Sequence, residues 1–225
     1  MRQCLTNETG EEIINMAANF FISTSRIEAF SDGVFAIIIT LLILEIKAPE
    51  LTPGVSIHRN WVELLKVAPK FISFVLSFLF IAIFWTNHHQ LFHSIKEADR
   101  GLLWYNVHLL FWITIIPFPT AMIGDHPLIP MAVMSLAFVL LMASLASYLI
   151  ARHAHFTADL MHETLSKVSK EKAIQKSLIG IALYFLAIIT ALASVYISYA
   201  IFLLALGIFI VPQQLVRRNK SLINK

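Results

Sequence analysis

Residues 71–95 read FISFVLSFLFIAIFWTNHHQLFHSI, a run without a single aspartate, glutamate, lysine or arginine. Coiled as a helix it extends about 37 Å at about 1.5 Å per residue. That is enough to cross a hydrocarbon layer about 30 Å thick. Working outward, residues 101–124 and 127–151 are charge-free in the same way, and each is long enough to cross once. Residues 177–216 are charge-free over a length that fits two crossings, with a tight turn expected near Ser194 to Tyr199. Towards the N-terminus the pattern is less clean. The charge-free part there, Gly33 to Leu44, gives only about 18 Å of helix. It reaches full length by including Arg26, Glu28 and Asp32, and Pro49 with the Pro53-Gly54 pair closes it. The reading is an all-α integral membrane protein. Residues 1–225 form one six-span domain, with spans at about 26–47, 67–92, 101–123, 128–151, 175–195 and 198–216 and a charged inner loop over 152–174.

Composition leaves little room for a soluble fold. The chain is 58% hydrophobic and 14% charged, against about 25% charged for an ordinary soluble domain. Its mean hydropathy is +0.75. The net charge of +3 is modest and one-sided. With six spans and the N-terminus inside, only Lys47, Arg59, Lys66 and Lys70 of the 17 basic residues fall outside. Inner short loops carry the excess of lysine and arginine, so both termini are expected in the cytoplasm. An odd number of spans would put the cluster Arg217, Arg218, Lys220 and Lys225 on the wrong side. The charge is therefore an orientation signal rather than a nucleic-acid footprint. Cys4 is the single cysteine, which excludes an intramolecular disulfide. The opening MRQCLTNETGEEIINMAANF has three glutamates and no long apolar core. The first span is thus expected to act as its own insertion signal. The charges of the first span do not recur in the fourth, which argues against two fused transporter repeats.

Ionisable residues inside a span are costly and mark function or structure. Here they cluster in Arg26-Ile-Glu28-Ala-Phe30-Ser31-Asp32. Arg26 and Glu28 can snorkel to the interface, but the short side chain of Asp32 needs a partner. Arg26 lies about 120° around the helix from it, and Glu28 shares its face and repels it. The partner is expected from the inner ends of spans two and three, Trp85-Thr-Asn87-His88-His89-Gln90 and Trp104-Tyr105-Asn106. A buried network of Arg26, Ser31, Asp32, His88 or His89, and Asn106 would tie three helices together without catalytic chemistry. On the other side, Gly33, Ile37, Thr40, Leu41 and Leu44 fall within about 60° of one line, and Asp32 points about 140° away. From pattern alone that face packs on lipid or another helix. His88-His89-x-x-x-His93 has metal-compatible spacing, but no acid lies between the histidines to act as a base. The histidines are read as interfacial or network residues, with no metal and no enzyme activity.

The stretch Arg26-x-x-x-Phe30-Ser31-Asp32, continuing Gly-Val-Phe-Ala-Ile-Ile-Ile-Thr-Leu-Leu, resembles the signature of prokaryotic relatives of the lysosomal potassium channel, the transmembrane protein 175 family. Trp85-Thr-Asn-His88-His89 agrees, as does Asn106 through Pro117-Phe118-Pro-Thr120. The resemblance covers spans one to three; spans four to six match only in hydropathy and length. It implies a potassium-selective or potassium-permeable, leak-like cation channel without a TVGYG filter. One-repeat members are homotetramers with the first helix of each subunit lining the pore. The implied constriction is Ile37, Leu41 and Leu44, and the implied ion-contacting hydroxyl is Thr40. Ala36 stands where some members carry a second hydroxyl. The family's polar cluster maps to Arg26, Ser31, Asp32, His88 or His89, and Asn106. Potassium would be the permeant ion, with no cofactor, the chain itself and lipid as partners, and a bacterial inner membrane as the location. The alternative is an ion-coupled or proton-linked secondary transporter using Asp32, His88, His89 and His108. Against it, there is no inverted repeat, and Pro117 and Pro119 interrupt only one span.

Overall fold

A computed structural model describes residues 23–49, 53–54, 56–157, 160 and 167–210 of the chain. Its described elements are helical. They are α1 (Thr24–Leu42), running into a 3-10 turn (Ile43–Glu45), then α2 (Ile57–Leu65), α3 (Ala68–Phe92), α4 (Arg100–Ile115), α5 (Pro117–Asp125), α6 (Pro130–Arg152) with a π turn (His153–Thr157), α7 (Lys167–Ala193) and α8 (Val195–Ile210). An apolar medium explains the class: only a helix or a closed barrel satisfies every backbone group without water. Among the described residues five helical stretches are long and apolar enough to cross a membrane: Thr24–Glu45, Ile57–Phe92, Arg100–Asp125, Pro130–Phe156 and Ile174–Ala193. Helix α8 is apolar over 16 residues, about 24 Å. Residues 211–216 of the expected sixth span lie outside the described residues, as do both chain ends with Cys4 and the C-terminal basic cluster.

Several details differ from the sequence reading. The segment before the second span, to which no element was assigned, is the amphipathic helix α2, none of whose residues is buried. Its Lys66 and Glu63 pair at 2.7 Å. The third span is two helices in series. Pro117 has no N–H to donate, so α4 stops at Ile115 and α5 restarts at the proline. The charged segment over 152–174, expected as a loop or as an extension of the fourth helix, is helical at both ends, because charged side chains do not interrupt backbone hydrogen bonding. Residues 158–159 and 161–166 within it lie outside the described residues. The long apolar run breaks at one residue, Ser194, and Ser198 Oγ beyond the break donates back to the Ala187 carbonyl at 2.8 Å.

Helix α6 is the hub. It packs most extensively on α7 and also on α4, through Ala132, Ala137, Ala143 and Ala146, all fully buried. Lipid tails are as apolar as leucine, so membrane helices associate through close packing, which small residues permit. On α7, a Cβ on Gly180 would already meet Ser144 Oγ at 3.0 Å. Phe80 joins α3 to this group by edge-on contacts with Tyr184 and Phe202, with ring centroids 5.8 and 5.7 Å apart. At the start of α4 Asp99 caps the helix by accepting from the Leu102 N–H at 2.8 Å, and its carboxylate also holds the His153 ring. Helix α1 leans on α3 and α4 at the edge of this body.

Candidate functional site

Helix α1 has two unlike faces. Ile27, Ser31, Phe35, Ile38 and Leu42 are buried and follow a 3.6-residue stripe against α3 and α4. The serine is the one polar member of that stripe, and its environment is built to satisfy it. Ser31 Oγ donates to the Ile27 carbonyl at 2.8 Å and accepts from Asn106 Nδ2 at 2.9 Å. Asn106, fully buried on α4, uses its Oδ1 to accept from His88 Nε2 on α3 at 2.8 Å. These partners assign the proton of His88 to Nε2, since Oδ1 can only accept. The His88 ring stacks on Phe92 and tilts against Phe35, which fixes its plane. Three helices are thus joined by one directional chain: His88 to Asn106, Asn106 to Ser31, and Ser31 to the α1 backbone.

The other polar residues of the expected network sit beside this chain rather than in it. Asp32 Oδ1 accepts from the Trp85 indole at 2.8 Å. His89 Nδ1 lies 3.0 Å from Glu28 Oε1. Arg26 is exposed and has no ion pair among the described residues. It lies on the same line of α1 as Ile37, to within about 20°, because eleven residues make about three turns. The structure therefore brings Ser31, Asn106 and His88 together, places Asp32 and His89 on a neighbouring flank, and puts Arg26 on the opposite face. Trp85 and Glu28 had not been singled out as partners. Their signal is legible afterwards: Glu28 and Asp32 are i and i+4 on one helix, and Trp85 and His89 are i and i+4 on the other.

The open face of α1 carries Ile37 at 59%, Leu41 at 44% and Leu44 at 70% exposure. Thr40 is exposed between them, and a Cβ on Gly33 would meet nothing within 4 Å. Thr40 Oγ1 donates inward to the carbonyls of Ile37 at 2.8 Å and Ala36 at 3.1 Å. Its proton is spent on its own helix, so its lone pairs point outward as acceptors. Other outward faces carry bulky residues, such as Phe71, Ile72 and Phe78 on α3 and Phe185, Leu186 and Leu192 on α7. Exposed threonines occur on other helices as well, Thr86 on α3 and Thr114 on α4, each bonded to its own backbone; the α1 face combines one with Gly33 and with the exposed arginine near the start of the helix.

A family model described as the endosomal/lysosomal potassium channel TMEM175 matches residues 26–117, from the start of α1 to the first residue of α5. A potassium channel of Chryseobacterium sp. is 32% identical over 198 residues, 88% of this chain and 98% of its own. The chain belongs to the TMEM175 family. A potassium channel of Chamaesiphon minutus is 33% identical over 189 residues, covering 81% of this chain and 92% of its own. The crystal structure of a lysosomal potassium-selective channel TMEM175 homolog from Chamaesiphon minutus superposes with a TM-score of 0.72 at 31% identity, over 83% of this chain and 95% of that one. This chain is accordingly an integral, multi-pass membrane protein of a family of potassium channels, not of enzymes.

Proposed function

We propose that this chain is one subunit of a potassium-permeable, leak-like cation channel in a bacterial inner membrane, conducting along the open face of α1. One observation carries the reading: α1 is anchored by a polar chain on one face and presents Ile37, Thr40, Leu41 and Leu44 unpartnered on the other. Apolar exposure alone is not enough, since lipid solvates leucine as well as protein does. The charge of Arg26 on the same face as Ile37 favours a wet neighbour over lipid, and Thr40 then supplies oxygens to that path. Rings of Ile37, Leu41 and Leu44 would form the constriction and gate by dewetting, and Thr40 oxygens would replace part of an ion's hydration. One α1 cannot enclose a path, so self-association is the required partnership, and four copies about an axis is the number the family resemblance implies for a one-repeat chain. Each copy has six spans, α8 being the sixth, with both termini in the cytoplasm. Potassium is the permeant ion and no cofactor takes part.

The curated bacterial relatives named as potassium channels support this ion and this class of activity. The test is purified protein in liposomes with opposed potassium and sodium gradients. The expected result is dissipative flux, faster for potassium, with no proton moved in exchange. Flux that saturates and carries a proton with each cation would support the transporter instead.

A further inference from the structure

Beside the polar chain lies a second group of side chains that it does not use. Glu28 and Asp32 on α1 and His89 on α3 offer ligand atoms that all lie within 4.8 Å of one another. Two elements contribute, and both nitrogen and oxygen donors are present. Trp85 positions two of the three: its indole N–H holds Asp32 Oδ1 at 2.8 Å, and its ring stacks on His89 with centroids 5.8 Å apart and planes 21° apart. Asp32 and His89, held in this way by a neighbour outside the triad, have the supported ligands that a metal site requires of its surroundings. Charge points the same way. Two carboxylates one turn apart repel, and no lysine or arginine pairs with either among the described residues. Arg26, the nearest basic residue in sequence, lies about 160° around α1 from Glu28. His89 and Glu28 are partly exposed, with side-chain exposures of 51% and 26%, so an ion can enter from the inner aqueous side.

We infer that Glu28, Asp32 and His89 form a binding site for a borderline divalent transition-metal ion, of the zinc or cobalt kind, that clamps α1 to α3. Calcium and magnesium fit poorly, since they favour all-oxygen sets of six or more ligands, whereas imidazole with carboxylates suits zinc and its neighbours. Ligand atoms about 2.1 Å from a tetrahedral ion stand about 3.4 Å apart. The His89 to Glu28 separation of 3.0 Å is close to this value, and small side-chain rotations close the rest of the triangle. The consequence for flux rests on the channel reading above: an ion bridging α1 to its neighbour opposes movement of the pore-lining helix, so it should slow conduction.

The experiment is titration of the tag-free, detergent-purified full chain with cobalt(II), followed by visible absorption, in parallel with flux in liposomes. The expected result is saturable binding of one ion per chain. His89→Gln and Glu28→Gln should each weaken it at least tenfold, and His93→Gln, one turn further along α3, should leave it unchanged. Asp32→Asn should act like the first two, but Asp32 also holds Trp85, so the decision rests on the half-exposed pair. Absence of saturable binding overturns the site, as does binding that survives both His89→Gln and Glu28→Gln. Zinc supplied on the inner side should slow potassium flux in the unmodified protein and lose that effect in His89→Gln. Binding without slowed flux overturns the clamp. Because absorption reports the metal whether or not the protein conducts, failure of the channel reading would leave the binding result standing.

Discussion

Replacing Asn106 by leucine tests the polar chain directly. Leucine has nearly the shape of asparagine and no polar atoms, so the change removes bonds with little cavity. Two contacts disappear, the 2.8 Å bond from His88 Nε2 and the 2.9 Å bond to Ser31 Oγ. Ser31 keeps its bond to the Ile27 carbonyl. His88 keeps nothing, since its Nδ1 already lacks a partner and the ring is buried between Phe35 and Phe92. Stranding a buried donor costs about 1–3 kcal/mol. Interhelical hydrogen bonds measured in a membrane protein average about 0.6 kcal/mol, with a maximum of about 1.7. Two such bonds with one stranded ring should therefore cost about 1–3 kcal/mol, to be read from detergent-driven unfolding followed by tryptophan fluorescence. The double variant His88→Leu/Asn106→Leu supplies the sharper result. With both partners apolar nothing is left stranded, so it should lose less than the two single losses added together. A neutral Asn106→Leu, or a double variant that costs the full sum, would refute the argument that this chain of bonds holds the three helices.

Three further outcomes are expected. Ile37→Asn puts an amide in the proposed apolar ring, so liposome flux should rise and the preference for potassium over sodium should fall; unchanged flux and ratio would remove Ile37 from the constriction. Thr40→Val deletes the hydroxyl and keeps the shape. Because Thr40 bonds only to carbonyls of its own helix, stability should move by no more than about 0.5 kcal/mol, while the potassium-to-sodium flux ratio drops. Gly101→Ala places a Cβ 2.8 Å from Cε1 and Nε2 of His153, a ring tied to both carboxylate oxygens of Asp99. Relief requires breaking that tie, so unfolding measurements should show a loss of about 1–3 kcal/mol.

The spans were legible because a bilayer imposes a simple rule, a charge-free run of sufficient length, and 71–95, 101–124 and 127–151 obey it without ambiguity. What that rule cannot see is structure whose cause is not hydropathy. Helix α2 is amphipathic and short, so it makes no apolar run. The break at Ile116 follows from the missing N–H of Pro117, and the helical ends of the 152–174 segment follow from backbone bonding that charge does not interrupt. At the polar cluster, residue types and depth pointed to three helix ends but not to pairings. His88 and His89 are adjacent and differ by about 100° in direction. The choice between them was open until tertiary packing turned His88 towards Asn106 and His89 towards Glu28. Arg26 was grouped with the cluster by proximity in sequence and by the family resemblance, while within this one chain its helical phase sets it with Ile37.

That phase relation matters for how α1 works as a unit. Without a hydrophobic force between helices in lipid, apolar contacts such as Phe35, Ile38 and Leu42 fit α1 against its neighbours but do little to fix its rotation. Directional bonds do fix it. A rotation of about 100° is all that separates Ser31 from the next residue, and only Ser31 offers both a donor for its own backbone and an acceptor for Asn106. Once that rotation is set, the direction of Ile37, Thr40 and Leu44 is set with it, on a rigid rod one to four turns away. The two faces therefore divide the consequences of mutation. Changes in the bonded face should alter how much folded protein is recovered and leave the ion preference of each surviving channel intact. Changes on the open face should do the reverse. Measuring stability and flux ratio on the same variants separates the two. An Asn106 variant with full stability and an altered ratio would show that the bonded face takes part in conduction, and the division of labour along α1 would have to be abandoned.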